Sequence, residues 1–355
     1  MTSLRFLTDD LLELSSALLQ KARVPTADAD LISRSLLVAD EAGIYSHGVL
    51  RLPLYLEAVA AGGIDPVARP RVIRRFGGIA VLDGGGAFGQ VTMQQAVDVA
   101  AGAARDHGVS TVAVQGSTHF GAGRFWTDQL AARGMAAILT SSTGPVAAPF
   151  GGSRPTLGTN PLTLSLPSAE GHPLVADLAT TEGAYGKIVA AANEGAEIPA
   201  GWGVDAAAQP TTDPSSVLEG GALLPFGGHK GSGVSVLLEG LATAFTGASA
   251  AFSTVDIWQD RSSRMNTGHL LLALDLAAFG DVEDILANVA ALQAEVRGSR
   301  PGSEVVAPGD LEHRSARQDP GHVEIAASTA AALRALAVEH GLSFPDGAGT
   351  DEATS

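Results

Sequence analysis

The sequence predicts an α/β protein preceded by a helical unit. Two observations carry this. The first 72 residues show helical periodicity and capping signals, and from residue 73 onward short β-like runs alternate with helical ones. Residues 8–21 read as an amphipathic helix, with Thr8 as N-cap, Asp9 and Asp10 in the first turn, and Leu11, Leu14 and Leu18 on one face. Thr26 to Ala42 repeats the design with Leu31, Leu36 and Val38, and Gly43 ends it. A third helix covers Leu50 to Ala60, and "GGIDPVARP" closes the unit. Then come "IAVLD", a helix over 90–105, "STVAVQ", a helix over 124–133, and "MAAILTSS". A glycine- and proline-rich region, 144–230, holds the strands "PLTLSLP" and "PLVADLA". A buried helix at 232–246, the strand "GHLLLALDL", a helix at 281–297 and a last amphipathic helix at 323–340 complete the reading.

The chain has 355 residues, 45% of them apolar, enough for a large core in one or two domains. Its formal charge is −16, and its few basic residues argue against a nucleic-acid partner. There is no cysteine, so disulfides, thiolate metal sites and cysteine nucleophiles are excluded. No basic region precedes an apolar stretch at the N-terminus and no uncharged run has membrane-spanning length, so a cytoplasmic protein is expected. Residues 343–355 are small and polar and are expected to form a flexible tail.

"IAVLDGGGAFGQ" fits G-x-G-x-x-G at Gly84, Gly86 and Gly89. A dinucleotide fingerprint also needs an acidic residue near the end of the second strand to hold the ribose. That strand, "STVAVQ", ends in Gln115 and Gly116. The pattern is therefore read as a tight strand-to-helix turn.

Five stretches bear chemistry. "GIYSHGVLRLPLY" places Ser46, His47 and Arg51 together, with His47 and Arg51 at i and i+4. An arginine grips a carboxylate with two parallel hydrogen bonds, and a histidine exchanges protons near neutral pH. The same residues also suit a helix start with a solvated arginine. "GSTHFGAGRF" follows a strand and opens a helix with His119 at the turn, where an anion is favoured and where a backbone-bonded histidine is equally at home. "RPTLGTNPLTLSLP" and "VADLATTEGAYGKI" suit either a polar pocket or ordinary turns. "LPFGGHKGSG" puts His229 and Lys230 at a helix mouth but lacks the P-loop spacing. The histidines lack metal-ligand spacing, so no metal is expected. Only Lys21, Lys187 and Lys230 are lysines among 22 basic residues.

Taken in order, "SHGVLRLPLY", "STHFGAG", "LGTNP", "DLATTEGAYGKI", "PTTDP", "LPFGGHKG", "NTGHLLLALD" and "VVAPGD" resemble the malate/L-lactate dehydrogenase family that lacks a Rossmann fold. The resemblance implies an L-sulfolactate dehydrogenase-like α/β subunit. A helical part (1–72 with 281–342) would join a non-Rossmann NAD(P)-binding domain with a mixed sheet (73–280). It also implies a homodimer with the active site near the subunit interface. NAD or NADP would be the cofactor, and a small 2-oxo acid and its 2-hydroxy acid the substrates, as for an oxidoreductase acting on CH–OH donors. By resemblance Arg51 and Thr159 would bind substrate. His119, Phe120, Gly121, Ala122, Gly123, Thr143, Asp177, Leu178, Ala179, His229, Lys230, Pro308 and Gly309 would surround the cofactor. The proton would come from His119, with Ser46 and His47 close by; His47 is the other candidate. Lys187 stands where the family's cyclic-imine reductases carry an acidic residue that completes a Ser-His-Asp relay. A cation there disfavours an iminium substrate, provided that Lys187 points inward. Cyclic-imine reduction and a non-catalytic ligand-binding role are the alternatives.

Overall fold

The computed structural model describes residues 3–347. The chain opens with a strand, β1 (Ser3–Leu7), then α1 (Thr8–Lys21) and α2 (Thr26–Glu41). Two 3-10 turns, 45–47 and 49–51, lead into α3 (Leu52–Ala61). The leucine stripe of α1 is buried, and each such side chain contributes roughly 1.5–3 kcal/mol. Thr8 does not cap α1. Its hydroxyl donates to Glu41 instead, 3.1 Å away, and ties the start of α1 to the end of α2.

The α/β part follows: β2 (Arg71–Phe76), β3 (Ile79–Asp83), α4 (Gly89–His107), β4 (Val109–Ser117), α5 (Gly123–Ala131), β5 (Met135–Ser141), β6 (Leu162–Leu166) and β7 (Leu174–Leu178). Next come α6 (Tyr185–Glu194), β8 (Gly203–Val204), β9 (Pro210–Thr211), α7 (Pro214–Leu218), β10 (Ala222–Leu223) and α8 (His229–Thr243). The chain ends with β11 (Thr267–Asp275), α9 (Val282–Gly298), α10 (Asp310–Gln318), β12 (His322–Ala326) and α11 (Ala327–Glu339).

The main sheet has seven strands in the order β2-β3-β4-β11-β5-β6-β7. Only β3 and β4 run parallel, so the sheet is mixed and is not a doubly wound one. β11 inserts late in the chain between β4 and β5, and its unbroken apolar run is what a central, doubly covered strand requires. The registers bring the ends of β3, β4, β5 and β7 and the starts of β6 and β11 to one end of the sheet. Stretches far apart in sequence meet there.

Further expectations need correction. The last helix is shorter than 323–340, because residues 322–326 form β12, which pairs antiparallel with β1. In "HVEIA" Val323 and Ile325 are buried and alternate with outward residues, the period of a strand. The helix expected at 232–246 runs from 229 to 243 and is buried on one face only, with Leu237 70% exposed on the other. Residues 343–347 of the expected tail are placed. Phe344 packs edge-on against Phe6, 5.5 Å between centroids, while the remaining tail residues lie outside the described ones.

Val323, Ile325, Ala330, Leu333 and Ala337 share one core with α1, α2 and α3. α9, grouped with them from sequence, instead lines a cavity with Ala136, Leu166 and Leu274 beside the main sheet.

Candidate active site

His119 leaves the end of β4, and His47 and Arg51 leave the two 3-10 turns before α3. The rings of His47 and His119 stack with centroids 5.6 Å apart and planes 23° apart. Ser46 Oγ lies 2.8 Å from His47 Nδ1. Arg51 Nε donates to the Ser46 carbonyl at 2.7 Å, which aims the rest of the guanidinium away from its own backbone. Trp258 forms a wall shared by both halves. Its ring lies edge-on to His119 at 5.2 Å, and the Arg51 guanidinium lies over it at 5.1 Å.

Tyr55, one helical turn beyond Arg51, is fully buried, and its hydroxyl lies 2.6 Å from His119 Nδ1. Gln90 Nε2 donates to that hydroxyl at 3.2 Å. Burial pushes the Tyr55 phenol up to about 12, so it stays protonated. Accepting from Gln90, it is placed to donate to Nδ1, the arrangement that puts the His119 proton on Nε2, which has no partner among the described residues.

The electrostatics are one-signed. Burial lowers His119 well below the ordinary histidine value, and the charges of His47, Arg51 and His269 lower it further. Burial, then Arg51, brings His47 down to about 4. Among the described residues no carboxylate offsets the Arg51 charge at either ring.

The G-x-G-x-x-G turn underlies this site. Gly84 N–H donates to Gln115 O at 2.8 Å, and Gly89 N–H donates to Thr118 Oγ1 at 2.9 Å. A Cβ on Gly89 would lie 2.4 Å from the Thr118 and His119 carbonyl oxygens. Those glycines let α4 approach the histidine loop, a packing role.

Other expected residues gather at the same sheet end. Thr159 N–H donates to Thr143 Oγ1 at 2.9 Å, and Thr180 N–H donates to Thr159 O at 2.8 Å, next to Ala179. Asp177 accepts from Arg124 N–H at 2.9 Å and from Thr163 Oγ1 at 2.8 Å, so it anchors the start of α5 behind Gly123. Burial raises its carboxyl above the ordinary aspartate value. Leu178, beside it, is 40% exposed. Phe120 points into the core against Trp126 and His269, leaving only its backbone for a ligand.

His229 and Lys230 are exposed at the start of α8, with His229 6.0 Å from the Phe150 ring. Pro308 accepts from Val175 N–H at 3.2 Å, which puts Pro308 and Gly309 beside the start of β7 rather than with the histidines. Lys187 is exposed on α6, and its side chain makes no hydrogen bond or ion pair among the described residues. The condition for its sequence argument, an inward side chain, is not met in the single chain.

Sequence reasoning passed over Tyr55, Gln90, Trp258 and His269. Tyr55 had a usable signal, since it follows Arg51 at i+4 and shares its face. Trp258 lies in an irregular loop with no periodicity to mark it.

A dinucleotide fits the residues at two helix starts. Gly121 (φ +84°) precedes α5 and Gly228 (φ +62°) precedes α8, and a Cβ on either would meet nothing closer than 3.8 Å. These glycines leave the backbone open in front of N-termini that favour anions.

Arg51, the stacked pair His47 and His119, and Trp258 thus meet in one place, with open helix starts at α5 and α8. The sequence matches the malate/L-lactate dehydrogenase family over residues 6–334, and the chain belongs to that family. It is 37% identical over 270 residues to a Δ1-pyrroline-2-carboxylate/Δ1-piperideine-2-carboxylate reductase of Pseudomonas putida, covering 75% of this chain and 78% of the relative. It is 34% identical over 310 residues to L-sulfolactate dehydrogenase of Methanothermobacter thermautotrophicus, covering 87% and 89%. The sulfolactate dehydrogenase structure from Methanocaldococcus jannaschii superposes with a TM-score of 0.90 at 31% identity, over 98% of this chain and 100% of that one.

Proposed function

We propose that this chain is an NAD(P)H-dependent oxidoreductase that interconverts a small 2-oxo acid and its 2-hydroxy acid. The observation that carries the reading is the pairing of Arg51 with a tautomer-fixed His119 across the Trp258 wall. Arg51 holds the substrate carboxylate through its terminal N–H groups, with Thr159 as a further substrate contact. His119 Nε2–H faces the carbonyl oxygen. Once the ring takes up a second proton, with Nδ1–H then donating to the Tyr55 hydroxyl oxygen, the imidazolium delivers its Nε2 proton as the carbonyl oxygen gains negative charge and is left as neutral imidazole. The carboxylate offsets the Arg51 charge that depresses His119, so substrate binding itself raises the ring's affinity for the proton it donates. His47, held by Ser46, backs the ring. A bound nicotinamide would supply the hydride, held by the 119–123 loop, Thr143, Asp177 to Ala179 and the start of α8.

The Arg51 charge beside His119 favours a neutral carbonyl that becomes an alkoxide over an iminium, and it takes over the argument that Lys187 does not support. The likeness to the Pseudomonas putida enzyme keeps cyclic-imine reduction as the second reading. A non-catalytic binder would have no need of the Gln90–Tyr55–His119 chain.

Loss of absorbance at 340 nm, with NADH or NADPH and a panel of 2-oxo acids beside a cyclic imine, tests the reading. Turnover of an open-chain oxo acid is expected; turnover of the imine alone overturns it. Arg51→Ala is expected to raise KM for the acid on the order of a hundredfold, and an unchanged KM sinks its assigned role.

A further inference from the structure

His269 is a fully buried histidine on the central strand of the sheet, with no part in the proton transfer above. Both of its ring nitrogens are engaged. Nδ1 lies 2.8 Å from Ser141 Oγ on β5, and Nε2 lies 2.8 Å from Ser117 Oγ at the end of β4. The Phe120 ring lies edge-on to it at 4.7 Å. One imidazole therefore touches the residue two before His119 and the residue immediately after it.

The backbone explains why such a tie is needed. β4 carries a bulge, because Thr267 pairs with Ser117 while His269 pairs with Val114, so three steps on β4 face two on β11. Gly116 in the bulge has φ +63°. A bulge re-aims the side chains that follow it and ends regular pairing. Beyond Ser117 the ladder ends, and the His269 ring joins Gly89 N–H and the Ala87 carbonyl on Thr118 Oγ1, and Trp126 Nε1–H on the Phe120 carbonyl, in holding the chain.

We propose that His269 is a positioning residue that locks the Ser117–Phe120 turn, and through it sets the placement of His119 against Tyr55. This rests on the reading of His119 as the proton donor. A neutral ring suits the task, since it supplies one donor and one acceptor to two hydroxyls that each can do either. Burial keeps it neutral, bringing it down to about 3.

The test uses the full-length protein with the substrate found in the panel. Ser117→Ala and His269→Phe are expected to lower kcat on the order of a hundredfold, as a small misplacement of an acid does. KM for the acid should stay within about threefold, because Arg51 is untouched. His269→Gln keeps an amide near the Nε2 position and should restore most of kcat. His269→Asn reaches the Ser141 side only and should not. A purely structural role would make Gln and Asn equivalent or move KM with kcat, and either result overturns the proposal.

A second readout needs no substrate. The ring ¹⁵N shifts of His119, assigned by loss in His119→Ala, should show an unprotonated Nδ1 in the wild type and tautomer averaging in Ser117→Ala. Unchanged shifts overturn the proposal even if His269→Phe does not fold. Wild-type protein that reduces nothing would count against the functional reading alone, because the shifts still judge the positioning.

Discussion

The hydroxyl of Tyr55 does more than fill the core. With Gln90 donating to it, its own proton is available to His119 Nδ1, and that arrangement puts the imidazole N–H on the open side. Tyr55→Phe removes the donor and frees the tautomer. It should cut kcat about tenfold to a hundredfold while leaving KM for the acid near the wild-type value, measured by steady-state reduction. A KM rise without a kcat loss would place Tyr55 with the substrate instead. At this scale the sequence was partly legible. Ser46, His47, Arg51 and His119 could be named because their residue types suit acid chemistry and their spacing is short. Trp258 comes to the site from another part of the chain, through tertiary packing that no local period records. Lys187 shows the opposite error, a meaningful residue type whose direction the sequence does not fix.

At the scale of elements, two glycines decide whether the site segments can sit where they do. Gly48 separates the two turns that bear His47 and Arg51, and a Cβ there would lie within 1.7 Å of Asp40 Oδ1. That carboxyl accepts from Val49 N–H at 2.7 Å and fastens the segment to α2. Gly89→Ala is the cleaner experiment, since its Cβ would press on the carbonyls of the histidine loop itself. It should lower kcat by about tenfold or more with a loss of stability on the order of 1–3 kcal/mol, read by activity and urea midpoint. Wild-type values for both would mean that α4 does not support the loop. The helices and most sheet strands were legible because their hydrophobic periods are long or bounded by glycine. β1 and β12 were not, because each is five residues long and only their mutual pairing makes either a strand. The outer face of α8 was misread as core because its apolar residues continue round the helix.

For the whole molecule, that outer face has a consequence. Val236, Leu237, Phe245 and Phe252 are exposed together with the helix that begins at the proposed cofactor loop. A second copy of the chain is the expected cover, and light scattering should give the mass of a dimer; Leu237→Glu should lower that mass toward one chain. Stability should also depend on pH from two directions. Asp40 is raised to about 8 from 3.8 by burial, so its neutral form stabilises the fold and the benefit is lost as pH climbs toward 8. His47, at about 4, and His269, at about 3, are neutral when folded, so their contribution is lost as pH falls from 6.5 through those values. Asp40→Asn keeps an uncharged acceptor for Val49 and should remove the decline that runs from pH 3.8 to about 8. Relative to wild type it should gain on the order of 3 kcal/mol between pH 4 and 9, followed by urea unfolding. A parallel pair of curves would show that Asp40 ionises normally.

The pairing of β1 with β12 also sets an order of events during synthesis. The first strand emerges from the ribosome long before its partner exists, so it leaves the exit tunnel as an open edge among helices that can already collapse. The seven-stranded sheet has all its strands once residue 275 is out, whereas the β1–β12 pair is completed later. A nascent chain arrested between these points would hold a nearly finished sheet and an unsealed head, the state in which a chaperone would find it.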